Sequence, residues 1–312
     1  MHQAIVKQLM RFLMRCSIFY LPSERKIVIE RRWRGREQLA KLRLADCVVV
    51  SFGKSGRTWL RVLLSRFYQI RHGLPERALI GFDNLHRRNR AIPKIFFTHD
   101  NYLKDYTGNR DSKVDYHGRK VVLLVRHPAD VAVSQYHQWR HRMRPGKKAL
   151  NAYPRHGEEV STFEFVARRD AGLAKVIDFM NGWAREMPRL EDLLLVRYED
   201  MRAHPEAALR EILEFIGTPG TEEEIREAIA FASFENMRRL EQKRTFWLSG
   251  GRLVPRDRSN PESFKVRRGK VGGYRDYFDD AQLAEIESYV RDHLSPVFGY
   301  SDAPVMARAA SA

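Results

Sequence analysis

Apolar residues along the chain fall into two patterns. Short runs at 47–52, 95–98, 120–125 and 193–196 are almost continuously apolar, and each leads through a turn to a longer polar or helical stretch. Runs without alternation predict strands buried on both faces of a parallel sheet, with helices as the crossovers. The first run passes through Gly53-Lys54-Ser55-Gly56 into a predicted helix over 58–70, where Leu60, Leu63, Leu64 and Phe67 share a face. The third passes through Arg126-His127 into a helix opened by Pro128, whose missing N–H costs nothing in a first turn. The fourth leads to a helix from Pro205, apolar at Leu209, Ile212, Leu213 and Ile216 and stopped by Gly217; Thr221 and Glu224 then have capping-box spacing. No repeat and no Gly/Ser- or Pro-rich linker divides the chain. The expected architecture is α/β: a single P-loop-like domain, with a central parallel sheet and helices on both faces.

Three polar segments, 101–118, 142–161 and 239–263, are predicted loops. In an open α/β sheet they gather beyond the carboxyl ends of the strands, where ligands bind. With 312 residues and 43% hydrophobic content the chain can bury a large core, which excludes global disorder. Cys16 and Cys47 make no disulfide framework and are compatible with a reducing compartment; Cys47 reads as a core residue. The net charge of +17 is uneven, because residues 1–45 hold 11 Lys/Arg against 3 Glu. Within them, 5–21 has helical apolar spacing interrupted by Lys7, Arg11 and Arg15, with no uncharged run of the ~18 residues that a membrane span needs. That segment is expected either to pack on the domain or to make peripheral contact with an anionic membrane. The chain therefore divides into a basic helical extension (1–45), the main domain (46–300) and an unstructured tail (301–312), with a cytoplasmic location expected.

The chemistry is concentrated in three places. Residues 48–59 deliver a strand through Gly53-Lys54-Ser55-Gly56-Arg57-Thr58-Trp59 to a helix N-terminus, where unpaired N–H groups and the Lys54 charge favour a phosphate. It is not a regular Walker A loop, since Val48 stands where that pattern requires glycine. Arg126 ends another strand at the same sheet edge, and Ser134 lies two turns into the helix that follows; a guanidinium fork and a hydroxyl suit a second phosphate. The segment Phe264-Lys265-Val266-Arg267-Arg268-Gly269-Lys270 places four further cations beside glycines that allow close backbone approach.

Together these motifs resemble the cytosolic-type sulfotransferase family, which uses 3'-phosphoadenosine 5'-phosphosulfate (PAPS), and the likeness runs over about 47–300. It includes Arg197-Tyr198-Glu199-Asp200-Met201 and Ser233-Phe234-Glu235-Asn236-Met237. The resemblance implies that Lys54, Ser55, Gly56, Arg57 and Thr58 hold the 5'-phosphosulfate, and that Arg126, Ser134, Arg267, Arg268 and Gly269 hold the 3'-phosphate. It implies that Trp59, Tyr198 and Phe234 contact the adenine. The family's catalytic histidine follows a Lys-Thr pair; here the triplet reads Phe97-Thr98-His99, so the lysine is absent. Gly273-Tyr274 likewise stands where the family has Asp-Trp.

On this reading the protein is a PAPS-dependent sulfotransferase that releases adenosine 3',5'-bisphosphate (PAP), without a metal. His99 is the expected general base and Lys54 stabilises the leaving phosphate. The acceptor carries a hydroxyl and, from the basic loop with His141, Arg142, Arg144, Lys147, Lys148 and Arg155, is a candidate anion. Tyr102, Tyr106, Tyr136, Trp139 and Tyr153 could stack on it or pack the core. A P-loop nucleotide kinase, with Glu199-Asp200 as its metal-holding acids, and a non-catalytic nucleic-acid binder are the alternatives; no nucleic-acid module is visible.

Overall fold

The computed structural model describes residues 10, 13, 14, 16–247 and 253–300. The tail 301–312, and much of 5–21, lie outside the described residues. The elements, in chain order, are α1 (Ser23–Leu44), β1 (Cys47–Val50), α2 (Arg57–Arg71), β2 (Ile95–Thr98), α3 (Leu103–Thr107), β3 (Val121–Val125), α4 (Pro128–His141), α5 (Pro145–Leu150), α6 (Thr162–Ala167), α7 (Leu173–Ala184), β4 (Leu193–Arg197), α8 (Tyr198–Ala203), α9 (Pro205–Ile216), α10 (Glu222–Phe231), α11 (Phe234–Gln242) and α12 (Asp280–His293).

The four strands form one parallel sheet in the order β2-β1-β3-β4. Pleating divides their side chains between two cores. Val48, Val50, Val121, Leu123 and Val125 join α4, α7 and α12 on one face, while Cys47, Val49, Val122 and Leu124 join α2, α9, α10 and α11 on the other. Burial on both sides explains why the sequence shows apolar runs rather than alternation. Pro128 opens α4, the Thr221–Glu224 capping box opens α10, and Gly217 ends α9 at a φ of 91°.

The predicted loops are not wholly irregular. α3 lies in 101–118, α5 in 142–161, and the end of α11 in 239–263. α3 and α5 have five and six residues, too short for a helical period to show in the sequence. α1 packs along the domain: Leu42 enters the first core, and Arg31 ties it to the loop after β2 through Asn101 O (3.0 Å) and to the end of α5 through Leu150 O (2.7 Å).

The chain leaves β1 for β2 on one side, then returns for β3 on the other. This reversal opens a crevice beyond the carboxyl ends of β1 and β3, where α/β sheets bind ligands.

Candidate active site

The crevice is a cleft of about 380 Å³. On the β1 side, Lys54 takes a φ of 79° and Gly56 one of 91°, so the chain reverses into α2. No side chain caps α2, which leaves its first N–H groups for an anion. A Cβ at Gly56 would stand 2.5 Å from the Tyr198 ring, so the position requires glycine for both its torsion and its space.

His99 follows β2, and its ring bridges two elements. Nδ1 donates to Ser51 O at 2.8 Å, and Arg57 Nη2 donates to Nε2 at 2.5 Å. A guanidinium has only donors, so Nε2 carries a lone pair and the imidazole is neutral. Burial first, then Arg57, hold His99 well below the usual histidine range, and Lys147 and Lys265 act in the same direction.

On the β3 side, Arg126 faces the cleft over the Tyr198 ring, at 4.4 Å from its centroid. Its Nη2 donates to Asp130 Oδ2 (3.0 Å) and Lys270 O (2.9 Å), while its buried Nε has no partner among the described residues. Asp130 also accepts from the backbone N–H groups of Gly272 (2.9 Å) and Tyr274 (3.0 Å). One buried carboxylate thereby fastens the arginine that follows β3 to the basic segment near the C-terminus. Glu241, fully buried, does the same from α11. It accepts from the N–H groups of Lys265 and Val266, each at 2.8 Å, and from Arg142 at 3.1 Å.

Of the residues singled out in the sequence, Lys54, Gly56, Arg57, Thr58, Trp59, His99, Arg126, Ser134, Tyr198, Phe234, Arg267, Arg268 and Gly269 all line the cleft. Ser55 does not; it is buried behind the turn. Trp59 and Tyr198 meet edge to face at 6.0 Å, and Phe234 packs so closely on Gly269 that a Cβ there would sit 3.0 Å from its ring. Tyr274, at the family's tryptophan position, is buried and stacks on His127 at 5.0 Å, so this turn is well packed. Phe97, in place of the family's lysine, lies under Arg61, 3.7 Å from ring centroid to guanidinium carbon.

The structure separates the residues expected on the acceptor side. Tyr136, Trp139 and Tyr153 pack with Phe165 in a cluster of their own, and of the five aromatics none lines the cleft. Of the basic loop, only Lys147 lines it. Arg142 is committed to Glu241 and to Ser263 O, and Lys148 packs 4.4 Å over Trp139.

The cleft is lined by nine Lys/Arg and one carboxylate, Asp130. Burial, then the charge of Arg142, lower Lys54 to about 7; Glu241 opposes them, while Arg126 and Arg267 add to the effect. Burial and the charges of Lys54, Arg142 and Arg57 hold Lys265 well below the lysine range. Lys147 is lowered by burial, Arg34 and Arg57. Lys265 was marked only as one of four cations in the basic segment, and Asp130 and Glu241 were not marked at all. Lys265 lay within a motif already marked as basic, and Asp130 stands one helical turn after Arg126, a spacing that signals an ion pair.

The sulfotransferase domain family matches residues 44–298 of the chain. Cytosolic sulfotransferase 15 of Arabidopsis thaliana is 26% identical over 278 residues, spanning 80% of this chain and 72% of the relative. The flavonol 3-sulfotransferase of Flaveria bidentis is 25% identical over 282 residues, spanning 83% and 84%. A crystal structure of a mouse sulfotransferase complexed with PAP has the same fold, with a TM-score of 0.55 at 21% identity over 84% of this chain and 92% of that one.

Proposed function

The chain belongs to the sulfotransferase domain family, and from that premise we propose that it moves the sulfuryl group of PAPS to a hydroxyl of its acceptor within the cleft between β1 and β3. The observation that carries this reading is a neutral imidazole set among cations in a cleft with nine Lys/Arg and one carboxylate. The residues fit such a donor. Arg126 has an unpartnered buried Nε, and with Ser134, Arg267, Arg268 and Gly269 it would hold the 3'-phosphate. Lys54, Arg57, Thr58 and the uncapped start of α2 would hold the 5'-phosphosulfate, and Trp59, Tyr198 and Phe234 the adenine.

Sulfuryl transfer resembles phosphoryl transfer, in which the moving group is loosely bonded at the transition state and catalysis is positioning plus charge stabilisation. The acceptor oxygen forms a bond to sulfur as the bond from sulfur to the 5'-phosphate oxygen breaks. His99 Nε2 takes the acceptor's proton, its Nδ1–H anchored on Ser51 O. Arg57 turns its fork from Nε2 onto the sulfuryl oxygens, which supplies the cation that Phe97 lacks. Lys54 neutralises the charge growing on the departing phosphate oxygen.

The acceptor end of the cleft favours an anionic compound. Lys147 and Lys265 both bear electrostatically on His99, and neither ammonium group has an ion pair among the described residues. An acidic group beside the reacting hydroxyl would give Lys147 its partner. Lys147→Met should therefore raise the acceptor KM and leave PAP affinity unchanged. The kinase alternative is weakened by Glu199, whose two oxygens accept from His127 N–H (2.9 Å) and from the Tyr300 hydroxyl (2.5 Å).

Calorimetry with PAP and ATP, followed by labelled PAPS with a panel of hydroxyl compounds, tests the reading. Tight PAP binding and label transfer support it. Preference for ATP over PAP would overturn it.

A further inference from the structure

The two long faces of α1 treat their arginines differently. On the inward face, Arg31 pairs with Asp105 at 2.9 Å and Arg34 with Glu30 at 2.5 Å. Arg25, Arg32, Arg36 and Arg43 are all exposed, and none has an ion pair or hydrogen bond among the described residues. Their steps of seven, four and seven residues place them on one narrow stripe of a 3.6-residue helix. The stripe spans about 27 Å at ~1.5 Å per residue. Structural need does not account for it, because the contacts that hold α1 to the domain come from the other face.

The apolar surface nearby is also unusual. Phe19 and Tyr20, in the turn that leads into α1, are 74% and 72% exposed, and their rings meet edge to face at 6.0 Å. Met10, Leu13 and Val28 are exposed as well. Exposed aromatic and aliphatic side chains at the end of a cationic stripe make a surface suited to a membrane interface, with rings at headgroup depth and guanidinium groups on lipid phosphates. No helix among the described residues is long and apolar enough to cross a membrane. A second copy of the chain is a poor partner, since like-charged stripes repel.

We propose that the outward face of α1, with Phe19 and Tyr20, docks the protein peripherally on an anionic lipid surface. Each arginine near such a surface contributes about 1 kcal/mol, or roughly a 5-fold change in partitioning. The stripe is separate from the catalytic cleft, so docking and sulfuryl transfer are independently measurable.

The test is co-sedimentation of the full chain with phosphatidylcholine vesicles that contain, or lack, about one-third phosphatidylserine, at physiological salt, where charge attraction is screened over ~8 Å. The expected result is partitioning onto the serine-containing vesicles alone. It should be weakened about 30-fold in Arg32→Ser/Arg36→Ser and also reduced in Phe19→Ser/Tyr20→Ser, with PAP affinity unchanged in both. A charge-reversed Arg32→Glu/Arg36→Glu variant should release the protein fully. Equal partitioning on the two vesicle types, or partitioning that survives charge reversal, would overturn the proposal. Tighter binding to duplex DNA than to vesicles, lost in the same variants, would assign the stripe to nucleic acid instead.

Discussion

Lys54 gives the cleft a pH dependence that follows from its surroundings. Burial and the charges of Arg142, Arg126 and Arg267 lower its ammonium group to about 7. An anionic ligand binds the charged form and so favours it, which means that raising the pH through this value must weaken binding. Between pH 7 and 8.5 the ammonium fraction in the ligand-free site falls from about 0.5 to about 0.03. The two phosphates of PAP, each with a second pKa near ~6, are already largely ionised and add little. If only the ammonium form binds, PAP affinity falls about 15-fold over this window, and binding at pH 8 takes up close to one proton. Calorimetry in two buffers of different ionisation enthalpy reads both quantities. Lys265 is lowered by the same surroundings, so a Lys265→Met background isolates the share of Lys54. In that background Lys54→Arg should keep tight binding without the slope, and Lys54→Met should bind weakly without it. A flat affinity from pH 7 to 8.5 in the Lys54 protein, or the full slope retained in Lys54→Met, would show that Lys54 does not set the pH dependence.

Two further outcomes follow from the packing around the cleft. Gly56→Ala adds a Cβ 2.5 Å from the Tyr198 ring at a φ of 91°; it should cost at least about 1–2 kcal/mol of folding stability and impair PAP binding, because the turn and the ring must separate. Asp130→Ala strands Arg126 and two backbone N–H groups, for an expected loss of about 3–5 kcal/mol and weaker PAP binding, whereas Asp130→Asn, which keeps one acceptor oxygen, should lose less. Denaturant titration with and without PAP checks both.

The strands were legible because burial on both faces leaves an unbroken apolar run, and Val121–Val125 is buried throughout. Helix ends were legible where local chemistry fixes them, as at Pro128, Gly217 and Thr221. The cleft-lining cations Lys54, Arg57, Arg126, Arg267 and Arg268 were legible because each follows a strand or sits beside glycines. What escaped depends on contacts between distant segments. Ser55 is next to Lys54 in sequence, but the left-handed turn buries one and presents the other. Arg142 and Lys147 look alike in a basic loop, yet Glu241, 99 residues away from Arg142, claims the first, while the packing of α5 brings the second to the cleft. Trp139 and Tyr153 could have been ligand contacts, and only the course of α6 past them shows that they pack around Phe165.

Proton transfer from the acceptor to His99 is the step on which the proposed reaction turns. Its most direct test is single-turnover transfer from labelled PAPS to the acceptor drawn from the hydroxyl panel, comparing the unaltered chain with His99→Ala at matched PAPS occupancy. A loss of about 10²–10⁴-fold in the transfer rate is expected, with PAP affinity nearly unchanged. Transfer by His99→Ala at the unaltered rate would contradict it and place the base elsewhere in the cleft.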